Sequence, residues 1–242
     1  MTGDEGGLER GGVVVGLARI DGLAPSALAR AEARLTGEER TRADRCRAES
    51  ARRQFVAARA LLRLMLARQS GEAERLWPLR LETHGKPVLD APDPAFVFNL
   101  SHSESVVACA LARAGELGVD VEDVAPGVDH VSVARRMFSA REAAHVAALT
   151  GGAQAEAFYA YWTLKEAYVK ARGLGLSLDT TAFAFDLADG DAISFKGIED
   201  DAGRWRFRRS APLPSTRLAL AAAAPLHLEG ARIEWIDLGA GL

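Results

Sequence analysis

Apolar residues recur along this chain with two periods, and the switches between them mark out its elements. Val13 to Arg19 is an apolar run of strand length, Ala24 to Leu35 is a short helical stretch, and Thr36 followed by Glu39 has the spacing of a capping box that opens another helix. From Glu49 to Gln69 a helical period places Phe55, Leu62, Met65 and Leu66 along one side, leaves the other side basic, and ends near Gly71. After Leu79 the texture changes to short strands: LRLET, the turn HGKP, then PAFVFNLSHS, SVVACALAR and ELGVDVEDV. Helices return over 131–149 and 153–172, followed by the strand-like stretches TAFAFDL, AISFKGI, RWRFRR, TRLALAAA and ARIEWIDL. This order predicts an α+β fold of mostly antiparallel sheets packed with helices, in two similarly built halves, residues 1–118 and 119–242, meeting near Gly118.

Composition narrows the picture. With 242 residues, 48% of them hydrophobic and 26% charged, and a net charge of -3, the chain is an ordinary globular protein and not a general nucleic-acid binder. The N-terminal MTGDEGGLERGG has acids and glycines where a secretory leader needs a basic start and an apolar stretch. The apolar segment LALAAAAPLHL is too short to span a bilayer and reads as a buried strand. Cys46 and Cys109 show no metal-ligand spacing, so a reducing, cytoplasmic setting is expected. Of 30 basic residues only Lys86, Lys165, Lys170 and Lys196 are lysines. A coding bias that favours Arg wherever either will serve explains the scarcity, and under it each surviving lysine is a candidate for a place where a compact ammonium differs chemically from a planar guanidinium. Nine Arg between Arg40 and Arg68, against Asp44 and Glu49, form either a solvated helix face or a site for a phosphorylated ligand or acidic partner.

Three constellations carry possible chemistry. Asp120 and Glu122 alternate with Leu117, Val119 and Val121, so both carboxylates share one strand face, either as an exposed polar edge or around a magnesium or manganese ion. On the helix over 153–172, at about 100° per residue, Lys165 falls inside the face formed by Phe158, Tyr161, Trp162, Tyr168 and Val169. It must snorkel out or pair with a buried anion. Glu166 and Lys170 sit at i and i+4 on the edge of that face, and Ser139 with Glu142 has capping-box spacing. The absence of GxxxxGK[ST], GxSxG and a complete GxGxxG sets aside several enzyme classes.

Together HGKPVL, FNLSHS, GVDVEDV, FSAREA and YWTLKEAYVKARGLGLSL resemble the phosphopantetheinyl transferases, in particular the larger single-chain, surfactin-synthetase-activating type. The resemblance covers roughly Arg40 to Leu178. It implies two alike halves in a pseudo-twofold arrangement with the site in the cleft between them. The implied reaction moves the phosphopantetheine arm of coenzyme A to a serine of an apo acyl or peptidyl carrier protein, releasing adenosine bisphosphate. By position, Asp120, Glu122 and Glu166 are implied magnesium ligands, Glu166 and Lys170 catalytic groups, and Lys86, Ser101, His102 and Arg53 holders of the coenzyme A phosphates. Arg40, Arg42 and Lys165 are implied to assist in binding. A monomer is expected, because one chain already contains both halves. The rival readings are a non-catalytic module that binds coenzyme A or a carrier, and a different magnesium-dependent phosphotransferase. Two departures from the family pattern, Cys46 in place of a common aromatic and an Arg cluster in place of a Lys-containing one, fall on the nucleotide side.

Overall fold

The computed structural model describes residues 8–72, 75–187, 192–197 and 201–239. Most of the N-terminal stretch read for a leader, and Ile198 of AISFKGI, lie outside them. The architecture is α+β. One sheet holds β1 (Val13–Arg19), β4 (Val97–His102), β5 (Val106–Ala112) and β11 (Arg232–Trp235) in the order β11-β1-β5-β4. A second holds β6 (Leu117–Asp123), β9 (Trp205–Ser210) and β10 (Thr216–Ala223) in the order β6-β10-β9. Two hairpins, β2 (Leu79–Leu81) with β3 (Pro87–Leu89) and β7 (Ala184–Asp186) with β8 (Ser194–Lys196), complete the strands. Among the described strands all pairings are antiparallel except that of β1 with β11, which brings residues 232–235 into the sheet of β1.

The helices are α1 (Pro25–Ala33), α2 (Gly37–Asp44), α3 (Glu49–Ser70), α4 (His130–Met137), α5 (Ala140–Ala148) and α6 (Gly151–Arg172). Among the described residues none is long and apolar enough to cross a membrane. The stretch expected to be helical over 131–149 is two helices, because Phe138 leaves the helical backbone and Ser139 starts α5 with a full capping box to Glu142.

The strand periodicity of two sorts each sheet's side chains into two layers. Val14, Val107, Cys109 and Leu111 face α3, while Val13, Val15, Leu17, Val106 and Ala108 face the second sheet and meet Val119, Val121, Leu218 and Leu220 there. On the far side, Ala219, Ala221 and Ala223 pack against α6. Strands covered on both faces read as nearly continuous apolar runs, as β1, β5 and β10 do.

The basic side of α3 is partly internal. Arg59 and Arg63 are buried and pair with Glu39 of α2, at 3.6 and 2.7 Å, while Arg52 reaches Glu32 of α1 at 2.6 Å. Arg42 and Arg59 both lie over the Phe55 ring. Arg52, Arg59 and Arg63 therefore fasten α1 and α2 to α3, whereas Arg40, Arg42, Arg45, Arg47 and Arg68 are exposed to solvent.

Candidate active site

β4 and β6 lie at the edges of their sheets and are joined by side chains instead of a backbone ladder. Asn99 Oδ1 accepts from the N–H of Val119, and Ser101 Oγ accepts from the N–H of Val121. α6 crosses β6 at Gly118, where a Cβ would lie 2.0 Å from the Ala167 carbonyl oxygen. Only hydrogen fits there, and this close approach carries the last turns of α6 over the polar face of β6.

Asp120 and Glu122 share that face, as the alternation predicts. Lys170 Nζ lies 2.6 Å from Asp120 Oδ1 and donates to Ser101 Oγ at 2.8 Å, while the Ser101 hydroxyl donates to Asp120 Oδ1 at 3.1 Å. Asp120 is 2% exposed, and its Oδ2 is buried with no hydrogen-bond partner. Glu122 accepts from Trp162 Nε1 at 3.1 Å. Burial, and then the charge of Asp120, push the Glu122 carboxyl up to about 7, against the opposing hydrogen bond from Trp162. Glu166 lies one turn before Lys170, and burial with the Asp120 charge raises its carboxyl too. Burial, reinforced by the Lys170 ammonium, holds the His102 imidazole below its usual value.

Glu166 and Lys170 line a cavity of about 520 Å³, together with His84, Lys86, Arg136 and Met137. Lys86 aims its ammonium at the end of α6, where it donates to the Lys170 carbonyl at 2.8 Å. Arg40, Arg42 and Arg53 are not among the cavity's lining residues. Arg40 donates to the Leu35 carbonyl, and Arg53 stands in the second turn of α3, next to Gln54, which bonds the Ser103 carbonyl just past His102.

Lys165, expected among the binding residues, is set apart from this cluster. It is 2% exposed, lies 2.9 Å from Glu142 Oε2, and donates to the carbonyls of Thr180 and Phe183 at 2.8 Å each. Of the two options open to it, pairing with a buried anion is the one realised. Glu142 also accepts from the N–H of Ser139 and of Phe185, so one buried ion pair fastens α5, α6 and the segment after Leu178 that lines the cavity. Trp162, Asn99 and Arg136 join the site beyond the residues to which the sequence motifs point. Trp162 carried a signal, its place beside Lys165 on the aromatic face, whereas the contacts of Asn99 and Arg136 depend on the meeting of distant segments.

A model of the 4'-phosphopantetheinyl transferase superfamily matches residues 116–223, which contain β6, α6 and β10. The phosphopantetheinyl transferase of a Thraustochytrium species is 33% identical over 199 residues, covering 75% of this chain and 68% of that protein. The chain belongs to this family. The 4'-phosphopantetheinyl transferase AcpT of Escherichia coli K12 is 31% identical over 63% of this chain and 70% of its own length. HetI, the 4'-phosphopantetheinyl transferase of a Nostoc species, is 35% identical over 147 residues, 60% of this chain and 62% of HetI. Against three of the curated relatives the chain spans between 50% and 62% of their length. All four acidic or basic residues at the centre of the cluster, Asp120, Glu122, Glu166 and Lys170, fall inside the stretch that the family model matches.

The cluster also bears on a divalent cation. Among the described residues no three acidic, His or Cys side chains are already gathered at metal-binding distance. The donor set nevertheless fits a hard cation: three carboxylates, two of them raised by burial and then by the charge of Asp120, and one buried oxygen of Asp120 left without a donor among the described residues.

Proposed function

We propose that the protein transfers the 4'-phosphopantetheine arm of coenzyme A to a serine of an apo acyl or peptidyl carrier protein, leaving adenosine 3',5'-bisphosphate. The observation that carries this reading is the contact of Lys170 with Asp120 and Ser101 beside the cavity, within a chain of this family. Asp120, Glu122 and Glu166 would hold a magnesium ion, with manganese as a substitute. Such an ion, when bound, neutralises diphosphate charge as a Lewis acid.

The chain's own residues supply the rest. The Lys170 ammonium stabilises negative charge that grows on the transferred and departing phosphates, where fixed charge in a sheltered cavity acts most strongly. Glu166 takes the proton of the attacking serine hydroxyl on its carboxylate. Ser101 and His102, at the end of β4, and Arg53 on α3 hold the phosphates of coenzyme A.

The proposal extends to organisation. The two alike halves are the first sheet with α3 and the second sheet with α6, divided near residue 118 except that β11 crosses back into the first sheet, with the site in the cleft between them. All proposed reacting side chains come from one chain, which favours a monomer, and free Cys46 and Cys109 suit the cytoplasm. Incubation with coenzyme A, magnesium and an apo carrier should add about 340 Da to the carrier, the mass of the transferred arm, read by intact mass. Binding of coenzyme A and carrier without any mass gain, across both acyl and peptidyl carriers, would leave a binding module in its place.

A further inference from the structure

The end of α6 is held by a side chain from another element. Lys86, in the turn between β2 and β3, donates from Nζ to the Lys170 carbonyl at 2.8 Å and stands 3.5 Å from the Ala171 carbonyl. A helix leaves its last carbonyls short of internal donors, and a cation there also complements its negative end. Gly173 follows in the left-handed conformation, φ 68°, and a Cβ built on it would meet Glu82 Oε2 and Lys86 Cδ at 3.8 Å. The β2–β3 hairpin is thus seated on the last turn of α6. Lys86 forms part of the wall of both the 520 Å³ cavity and a neighbouring one of about 400 Å³ that contains Arg80, Glu82 and Arg172.

We propose that Lys86 is a positioning residue for Lys170, fixing the backbone of the residue whose side chain grips Asp120 and Ser101. The ammonium spends its hydrogen bond on the main chain of the very residue whose own ammonium reaches Asp120 at 2.6 Å. Burial disfavours a free charge at Lys86, which makes the carbonyls its natural partners. The ammonium is a compact point charge that reaches two successive carbonyls from one atom, in keeping with a lysine at this place in an Arg-rich chain. The inference rests on the proposed transfer only where turnover is read.

Three full-length variants test it, Lys86→Met, Lys86→Arg and Lys86→Gln, in three measurements. Hydrogen exchange without ligand should show faster exchange at the Gly173 amide, which bonds the Val169 and Lys170 carbonyls, by about tenfold in Lys86→Met and less in Lys86→Gln. With coenzyme A as the probe, the dissociation constant should stay within about threefold of wild type, while kcat falls about tenfold from the displaced Lys170. Lys86→Arg keeps the charge and should not restore kcat. Wild-type exchange in both Lys86→Met and Lys86→Gln would overturn the proposal. So would coenzyme A binding weakened tenfold or more at unchanged kcat, because that pattern belongs to a side chain holding phosphate. Should wild type transfer no phosphopantetheine, the exchange measurement decides the positioning role alone, and Lys86→Gln does so if Lys86→Met fails to fold.

Discussion

Gly118→Ala adds one methyl group at the point where α6 touches β6. The new Cβ would lie 2.0 Å from the Ala167 oxygen and 2.6 Å from the Ala171 nitrogen, both backbone atoms that no rotamer change can move away. Ordinary contact starts at 3.4 Å, so the helix must retreat by about 1.4 Å at this point. Overpacking of this kind costs about 1–3 kcal/mol, which in a chain of this length lowers the melting temperature by about 2–12 °C. The functional cost is larger in proportion. Glu166 and Lys170 ride on the displaced segment while Asp120 and Glu122 stay on β6, and an error of about 1 Å in such an arrangement costs about 10²-fold in rate. Differential scanning fluorimetry and the carrier mass assay measure both. Gly152→Ala is the control: it lies in the first turn of the same helix with open space around its Cβ, and should stabilise by about 0.5–1 kcal/mol without altering rate. Wild-type turnover in Gly118→Ala would refute the reasoning, because the rate would then not depend on how closely α6 approaches β6.

Other outcomes follow from the same geometry. Lys165→Met strands the fully buried Glu142 carboxylate and should cost about 3–5 kcal/mol in urea denaturation, only part of it recovered in the Glu142→Leu/Lys165→Met double variant, because the Ser139 and Phe185 N–H groups then lose their acceptor. Lys170→Met should lower turnover by about 10²–10³-fold, measured by single-turnover mass analysis with coenzyme A saturating. The raised Glu122 carboxyl makes the metal-free protein pH-sensitive: the folded state binds the extra proton, so this group's contribution is fully present below 4.5 and lost as pH rises through about 7. The melting temperature of chelator-treated protein should therefore fall over that window, and millimolar magnesium should raise it more at the alkaline end than at the acid end; an equal gain at both ends would remove Glu122 from the ligand set.

Much of this was legible in local pattern. β1 spans the residues its apolar run predicts, Gly71 ends α3, and both capping boxes, Thr36 with Glu39 and Ser139 with Glu142, form as spaced. The common face of Asp120 and Glu122 follows from strand geometry alone. What local pattern could not carry is partnership between distant segments. Periodicity places Arg59 and Arg63 on the basic side of α3, but not under α2, where Glu39 neutralises them. It puts Lys86 in a turn without showing that α6 ends beside it, and it marks Lys165 as misplaced without naming Glu142, 23 positions upstream and on another helix, as the buried anion.

The pairing of Val14 with Arg232 joins positions 218 residues apart. At the usual synthesis rate of about 5–20 residues per second, β1 waits roughly 10–40 s for its parallel neighbour to be made. During that interval β5 can cover one side of β1 while the other stays open, an unprotected edge able to recruit strands from other chains. The first sheet is therefore completed only after the second sheet's strands have been made, and its late seam is the pairing of residues 14–17 with 232–235.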